Sequence, residues 1–148
     1  MISQDFERLV LHGLCCEWQG AAMELRPPER KGLVQPLFAI RDLKGRWGTW
    51  SSELREISLS SDLVHHHPWD AVREVLLHEM AHQVADQVLH ARNETPHGPA
   101  FRKACRMLRA NPRASGNRPL LDQRLSDDFR QGEEKILVRI RKLMALAQ

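Results

Sequence analysis

The stretch Leu76–Gln83, LLHEMAHQ, constrains this chain more than any other. It sets two histidines four residues apart, with a glutamate beside the first, inside an otherwise apolar run. Val72, Val75, Leu76, Met80, Ala81, Val84 and Val88 cover more than half the circumference of a helix built on this region, so that helix is central rather than peripheral. Two imidazoles and a carboxylate in such surroundings cost several kcal/mol if left unpaired. A metal ion removes that cost; hydrogen bonds to backbone are the alternative.

On a helix, residues four apart differ by about 40° in direction and one turn in height, so His78 and His82 can converge on one ion. Glu79 lies between them in angle, able to reach a water at the ion without ligating it, which is the mechanical content of HExxH. Neutral imidazole suits Zn²⁺. Chance would place an HExxH in about one chain in thirty of this size and composition, so the surrounding residues must decide. A catalytic zinc site needs a third protein ligand and one open position. The extended metzincin pattern asks for Gly and His soon after His82, and Ala85 and Val88 stand there instead. His90 is two turns further along the same helix and points roughly 80° away. Glu94 precedes Thr95-Pro96, which redirects the chain. His97 sits in the turn before the next helix, where the chain can fold back; it is favoured as third ligand, with Glu94 the alternative.

The rest of the chain reads as an α+β domain. Phe6, Leu9, Val10, Leu14 and Trp18 fall near one face of a first helix that Ser3 can cap and that ends before RPPERKG. LVQPLFAI, RWGTWS and REISLS read as two or three strands of a small antiparallel sheet, with DLKG as the turn between the first two and Pro36 placing its strand at an edge or a bulge. Pro68 suits the first turn of the HExxH helix, and Asp70 and Glu74 its positive end. After NETPHGP, the segment AFRKACRMLRA turns Phe101, Ala104, Cys105 and Leu108 inward and its arginines outward. NPRASGNRP reads as an exposed loop, and EEKILVRIRKLMALAQ as an amphipathic helix with Ile136, Ile140, Leu143, Met144 and Ala147 on its apolar face. That last helix reaches the final residue without a stop signal, consistent with a chain that is part of something longer.

Composition narrows the partners. With 148 residues, 42% hydrophobic and 28% charged, the chain suits one globular domain, and no apolar run is long enough for a bilayer. The N-terminus lacks the pattern of a secretion signal, so a cytoplasmic location and no membrane partner are expected. Cys15, Cys16 and Cys105 make an odd count without a CxxC pair and read as reduced thiols. The net charge is +3, yet Arg102, Lys103, Arg106, Arg109, Arg113 and Arg118 lie between Gly98 and Pro119 with no acid among them, leaving the remainder at −3. Such a surface suits a phosphate backbone, and Arg102, Lys103, Arg106, Arg109 and Arg113 are the candidate nucleic-acid contacts.

LLHEMAH followed at a distance by PHGPAF resembles the SprT-like zinc metallopeptidase family, which includes the Spartan proteases. GRWGTW and REISLS resemble that family's preceding strands, and the resemblance runs from about Leu33 to Leu108. It implies a zincin-like fold, a small antiparallel sheet packed on the HExxH helix with flanking helices. It also implies one Zn²⁺ ion held by His78, His82 and His97, Glu79 as general base, a protein or peptide substrate, and DNA as a further partner. Many relatives carry a C-terminal zinc ribbon with paired CxxC motifs, absent here; EEKILVRIRKLMALAQ instead resembles the opening helix of an uncharacterised domain found beside SprT-like domains in bacterial and phage proteins. The expected division is therefore 1–118 for the metallopeptidase domain and 119–148 for a linker and the start of something further.

In this reading Glu79 takes a proton from water at the zinc and returns it to the leaving amine. The chain has no Tyr, so the oxyanion falls to zinc with His90, one of His65–His67, or an arginine. Asp86, one turn beyond His82, is a candidate acceptor for an imidazole N–H, against a plain solvated acid. His65–His67 read as loop, and Trp47, Trp50 and Trp69 as core or groove residues rather than base-stacking platforms. Two other classes compete: a nucleic-acid- or partner-binding module with structural zinc, which would need a fourth ligand such as Glu94 or His90, and a non-proteolytic hydrolase using the same site.

Overall fold

A computed structural model describes residues 4–112 and 140–146. The order is α1 (Gln4–Ala22), α2 (Pro27–Arg30), β1 (Leu37–Arg41), β2 (Gly48–Ser51), β3 (Glu56–Ser60), α3 (Ser61–His66), α4 (Trp69–Gln87) and α5 (Pro99–Leu108), with residues 140–146 also helical. This is an α+β fold with a three-stranded sheet, compatible with a zincin-like architecture.

Helix α4 is its axis. Of its 19 residues 13 are buried, because α1, α5, β2 and β3 all pack on it. Phe6, Val10, Leu14 and Trp18, spaced every four residues along α1, form one buried stripe, while Leu9 is only partly covered. Each fully buried side chain of this size stabilises by about 1.5–3 kcal/mol. Polar contacts set the rotation of α4 about its own axis. Trp18 Nε1 donates to Gln83 Oε1 at 2.9 Å, and Gln83 Nε2 donates to the Val34 carbonyl at 2.6 Å and to Gln87 Oε1 at 3.0 Å. At the other end Glu17 accepts from Trp69 Nε1 at 3.2 Å and from Arg73 Nε at 2.8 Å. Gln83 is fully buried, so the residue beside His82 has its amide satisfied by three segments at once.

The sheet is mixed rather than wholly antiparallel. Its order is β1-β3-β2, with β2 antiparallel and β1 parallel to β3. The reason lies in burial: all five residues of β3 are covered, whereas β1 and β2 are largely half-exposed, so the most covered strand takes the centre. DLKG thus joins two strands that are not neighbours, and the hairpin turn is Ser52–Arg55, with Arg55 at φ 50°. Pro36 directly precedes an edge strand, where its missing N–H is harmless. Arg41 on β1 clasps the buried Glu56 on β3 through Nε at 2.7 Å and Nη2 at 3.1 Å, which with the Ser58 hydroxyl lowers the Glu56 pKa.

One further expectation changes. His65 and His66 lie in the last turn of α3 and buried His67 is its C-cap, because Pro68 breaks the helical path and restarts it as α4. His65 packs on Phe6 and His67 on Trp47, so neither is a loop side chain. Trp47 and Trp69 are core residues. Near the end of the chain, Ile140 is fully buried: a Cβ on Gly13 would stand 2.9 Å from it and 2.9 Å from Trp69, so α1 needs glycine there. The Ser3 cap, Arg113, Arg118, most of the 111–119 loop, Ile136, Ala147 and the 118/119 boundary lie outside the described residues. No helix among the described residues is long and apolar enough to cross a membrane.

Candidate metal centre

His78 and His82 stand one turn apart on α4 with ring centroids 5.0 Å apart. After α4 the chain reverses. His90 takes the left-handed conformation at φ 53°, the Ala91 N–H donates to the Ala85 carbonyl at 2.9 Å, and the 91–98 segment returns beneath the histidines. His97 arrives there with its ring centroid 5.2 Å from that of His78 and 5.0 Å from that of His82. One ring nitrogen from each of the three lies within 4.8 Å of the others, the one such group among the described residues. Phe101, one turn into α5, is buried beneath all three, with centroid separations of 5.0, 4.5 and 4.9 Å to His78, His82 and His97.

The donor set fits a tetrahedral ion. Ligands at about 2.0–2.1 Å on tetrahedral zinc stand roughly 3.3–3.4 Å from one another, and His97 Nε2 lies 3.3 Å from His78 Nε2. Two imidazole nitrogens approach so closely only if one donates a proton or a cation holds both lone pairs. The ligand form is also the favoured one: burial, then the positive charge His78 and His97 would carry, pushes the His82 pKa down to about 3.

Glu79 faces the same space from α4. Burial pushes its carboxyl pKa up to about 7, against the lowering effects of the Trp50 backbone N–H that it accepts and of the nearby Arg46 guanidinium. Trp50 lies on β2, a sheet edge, and this N–H ties the edge to the motif. Gly48 makes the approach possible: a Cβ there would stand 2.9 Å from Val75, 3.0 Å from Glu79 Cγ and 3.0 Å from Leu59. An open cleft of about 1130 Å³ runs over the site, walled by Arg46, Gly48, Thr49 and Trp50 on one side and by Arg92, Glu94 and His97 on the other.

The SprT-like family model matches residues 31–120, more than half of the chain, and the match contains HExxH and His97. The chain belongs to the SprT-like family. No curated protein and no solved structure matches it. The SprT-like match also encloses the whole span from Leu33 to Leu108 over which the motifs and strands resemble the family.

The remaining candidates sort cleanly. Asp86 turns toward β2 from its position on α4, so its partners are the Trp50 indole N–H at 3.3 Å and Arg92 at 3.6 Å rather than an imidazole. His90 is exposed and outside the converging group, since its left-handed turn carries it past the site. Glu94 is also outside that group and accepts the Ala100 N–H at 3.0 Å. Arg102, Lys103, Arg106 and Arg109 are exposed on the outer face of α5, with Arg109 3.8 Å from Glu24. Cys15, Cys16 and Cys105 are free thiols. Sequence reasoning missed Phe101 as the floor of the site, Arg46 beside Glu79, and Gly48 in the wall, whereas Trp50 is the groove residue expected of it. Only Gly48 carried a local signal, a glycine within a strand.

Proposed function

We propose that this SprT-like domain is a zinc-dependent peptidase in which His78, His82 and His97 bind the ion and Glu79 is the general base. The convergence of three imidazoles from two segments beside a buried carboxyl carries this reading. Zinc held there would supply Lewis acidity to polarise water and a substrate carbonyl. Without the ion, burial holds the Glu79 carboxyl at about 7; a bound cation would favour the carboxylate, the form that accepts a proton. Its carboxylate oxygens take the proton from the attacking water and pass it to the leaving amine nitrogen. The Trp50 N–H holds that carboxylate in place. Arg46 lines the cleft, faces Glu79 and has no ion-pair partner among the described residues, which makes it the cation best placed for the oxyanion. His65–His67 and His90 do not line the cleft.

The cleft suits an extended chain. Gly48, Thr49 and Trp50 line it from an edge strand, where a peptide can add as a further strand through main-chain hydrogen bonds. The exposed Arg102, Lys103 and Arg106 of α5, the helix that follows His97-Gly98 directly, and Arg109 at its C-cap offer a surface for a phosphate backbone. The proposed substrate is accordingly protein associated with nucleic acid. Converging groups of three rather than four side chains favour an open coordination position over a purely structural zinc.

The test is Glu79→Gln, compared with wild type for zinc content by elemental analysis and for cleavage of casein and of a DNA-bound protein. The expected result is one retained equivalent of zinc and a loss of cleavage on the order of 10²–10⁴-fold. Loss of zinc together with cleavage would assign Glu79 a structural role, and undiminished cleavage would remove it from the chemistry.

A further inference from the structure

His97 reaches the site from a segment with little packing of its own. Residues 92–97 are all exposed, and Gly98, the N-cap of α5, has no side chain with which to cap that helix. The first N–H groups of α5 therefore need another acceptor. The Glu94 carboxylate provides it: Oε2 accepts the Ala100 N–H at 3.0 Å, four residues upstream of the cap position that would ordinarily do so. Inside the ring this bond closes, the Gly98 N–H donates to the Thr95 carbonyl at 2.9 Å, and just beyond it the Arg102 N–H donates to the Gly98 carbonyl at 3.1 Å. A Cβ on Gly98 would stand 2.9 Å from Thr95 Oγ1 and 3.1 Å from its carbonyl oxygen, so the turn closes only on glycine. His97 lies within this ring, between the residue that supplies the carboxylate and the helix that receives it.

We infer that Glu94 is a positioning residue for His97, its carboxylate closing the 94–100 loop onto the N-terminus of α5 so that the third imidazole is held in coordinating position. This inference rests on the reading of His78, His82 and His97 as metal ligands. It gives Glu94 a part distinct from ligation, since its bonded oxygen is committed to a backbone N–H and the residue stands outside the converging group. Its negative charge at a helix N-terminus adds to the hydrogen bond.

Zinc affinity is the readout, measured by competition with a chromophoric chelator on the whole chain, beside the melting temperature of the metal-free protein. Wild type, Glu94→Ala, Glu94→Gln and His97→Ala are compared. Outer residues that orient a ligand typically contribute 10–100-fold in affinity, so Glu94→Ala should bind zinc about 10-fold or more weakly, with a metal-free melting temperature close to wild type. Glu94→Gln keeps an oxygen acceptor and should stay within about 3-fold of wild type. Equal losses in Glu94→Ala and Glu94→Gln would overturn the inference in favour of direct ligation or charge, and so would wild-type affinity in Glu94→Ala. Failure of the underlying reading looks different: wild type itself would bind no zinc, or His97→Ala would bind it as tightly.

Discussion

The two halves of the histidine cluster are built by different means. His78 and His82 belong to the central helix of the fold, flanked by Leu76, Leu77, Met80 and Ala81 and fixed in rotation by Gln83. His97 belongs to an exposed loop closed by one carboxylate–amide bond and one glycine turn. The first half is thus set by the hydrophobic core and persists as long as the domain is folded. The second half is set by a few local hydrogen bonds and can loosen without unfolding anything else. The extended substrate proposed above would gain from this division, because the wall that must yield is not the wall that carries the core.

Substitutions in the two halves should separate stability from metal binding. Met80→Ala, at a fully buried position one residue past Glu79, should lower unfolding free energy by about 2–5 kcal/mol in urea titrations of metal-free protein. His97→Ala should change the same quantity by no more than about 0.5 kcal/mol, as expected of an exposed residue, while abolishing tight zinc binding. Comparable losses of stability in both would erase the distinction between the halves.

Acidity sharpens the comparison on the buried side. In metal-free protein the Glu79 carboxyl is raised from 4.5 to about 7 by burial. Below about pH 4.5 folded and unfolded chains both hold that proton, and the group costs nothing. As pH rises toward 7 the unfolded chain releases the proton while the folded chain keeps it, so stability falls and stays lower above 7. His82, lowered from 6.5 to about 3, acts in the opposite sense, destabilising the fold as pH falls below 6.5. Comparing Glu79→Gln with wild type isolates the first effect. In chelator, the variant should match wild type near pH 4.5 and exceed it by about 3 kcal/mol at pH 8. Equal stability at pH 8 would mean that the Glu79 carboxyl is not desolvated.

The smallest expected effect lies where the two halves meet. His90 turns the chain back toward the site at φ 53°, a conformation that glycine adopts without strain. His90→Gly should therefore leave stability unchanged or raise it by up to about 1 kcal/mol, with zinc affinity preserved. A marked drop in affinity would show that the His90 side chain, and not just its backbone, serves the site.

Periodic features were legible in the residues alone. The stripe on α1, the broad apolar surface of α4 and the two-faced α5 each follow from spacings of three and four, and burial matches them. Short or non-local features were not. The central place of β3 depends on which strand the helices cover, and no local pattern distinguishes a parallel from an antiparallel neighbour in five residues. Helical position leaves Asp86 either an imidazole's acceptor or a solvated acid, and the indole of Trp50, 36 residues away in sequence, takes it instead.

From the sequence by itself it follows that His78 and His82 share one side of a buried helix with Glu79 between them, because helical geometry is local and repeats every 3.6 residues. The choice of His97 over Glu94 and His90 as the third member of the cluster, the floor supplied by Phe101 and the desolvation that lifts Glu79 toward neutrality were decided by tertiary structure. Each depends on how closely distant segments approach, and distance and exclusion of water are properties of the packed chain rather than of any stretch within it.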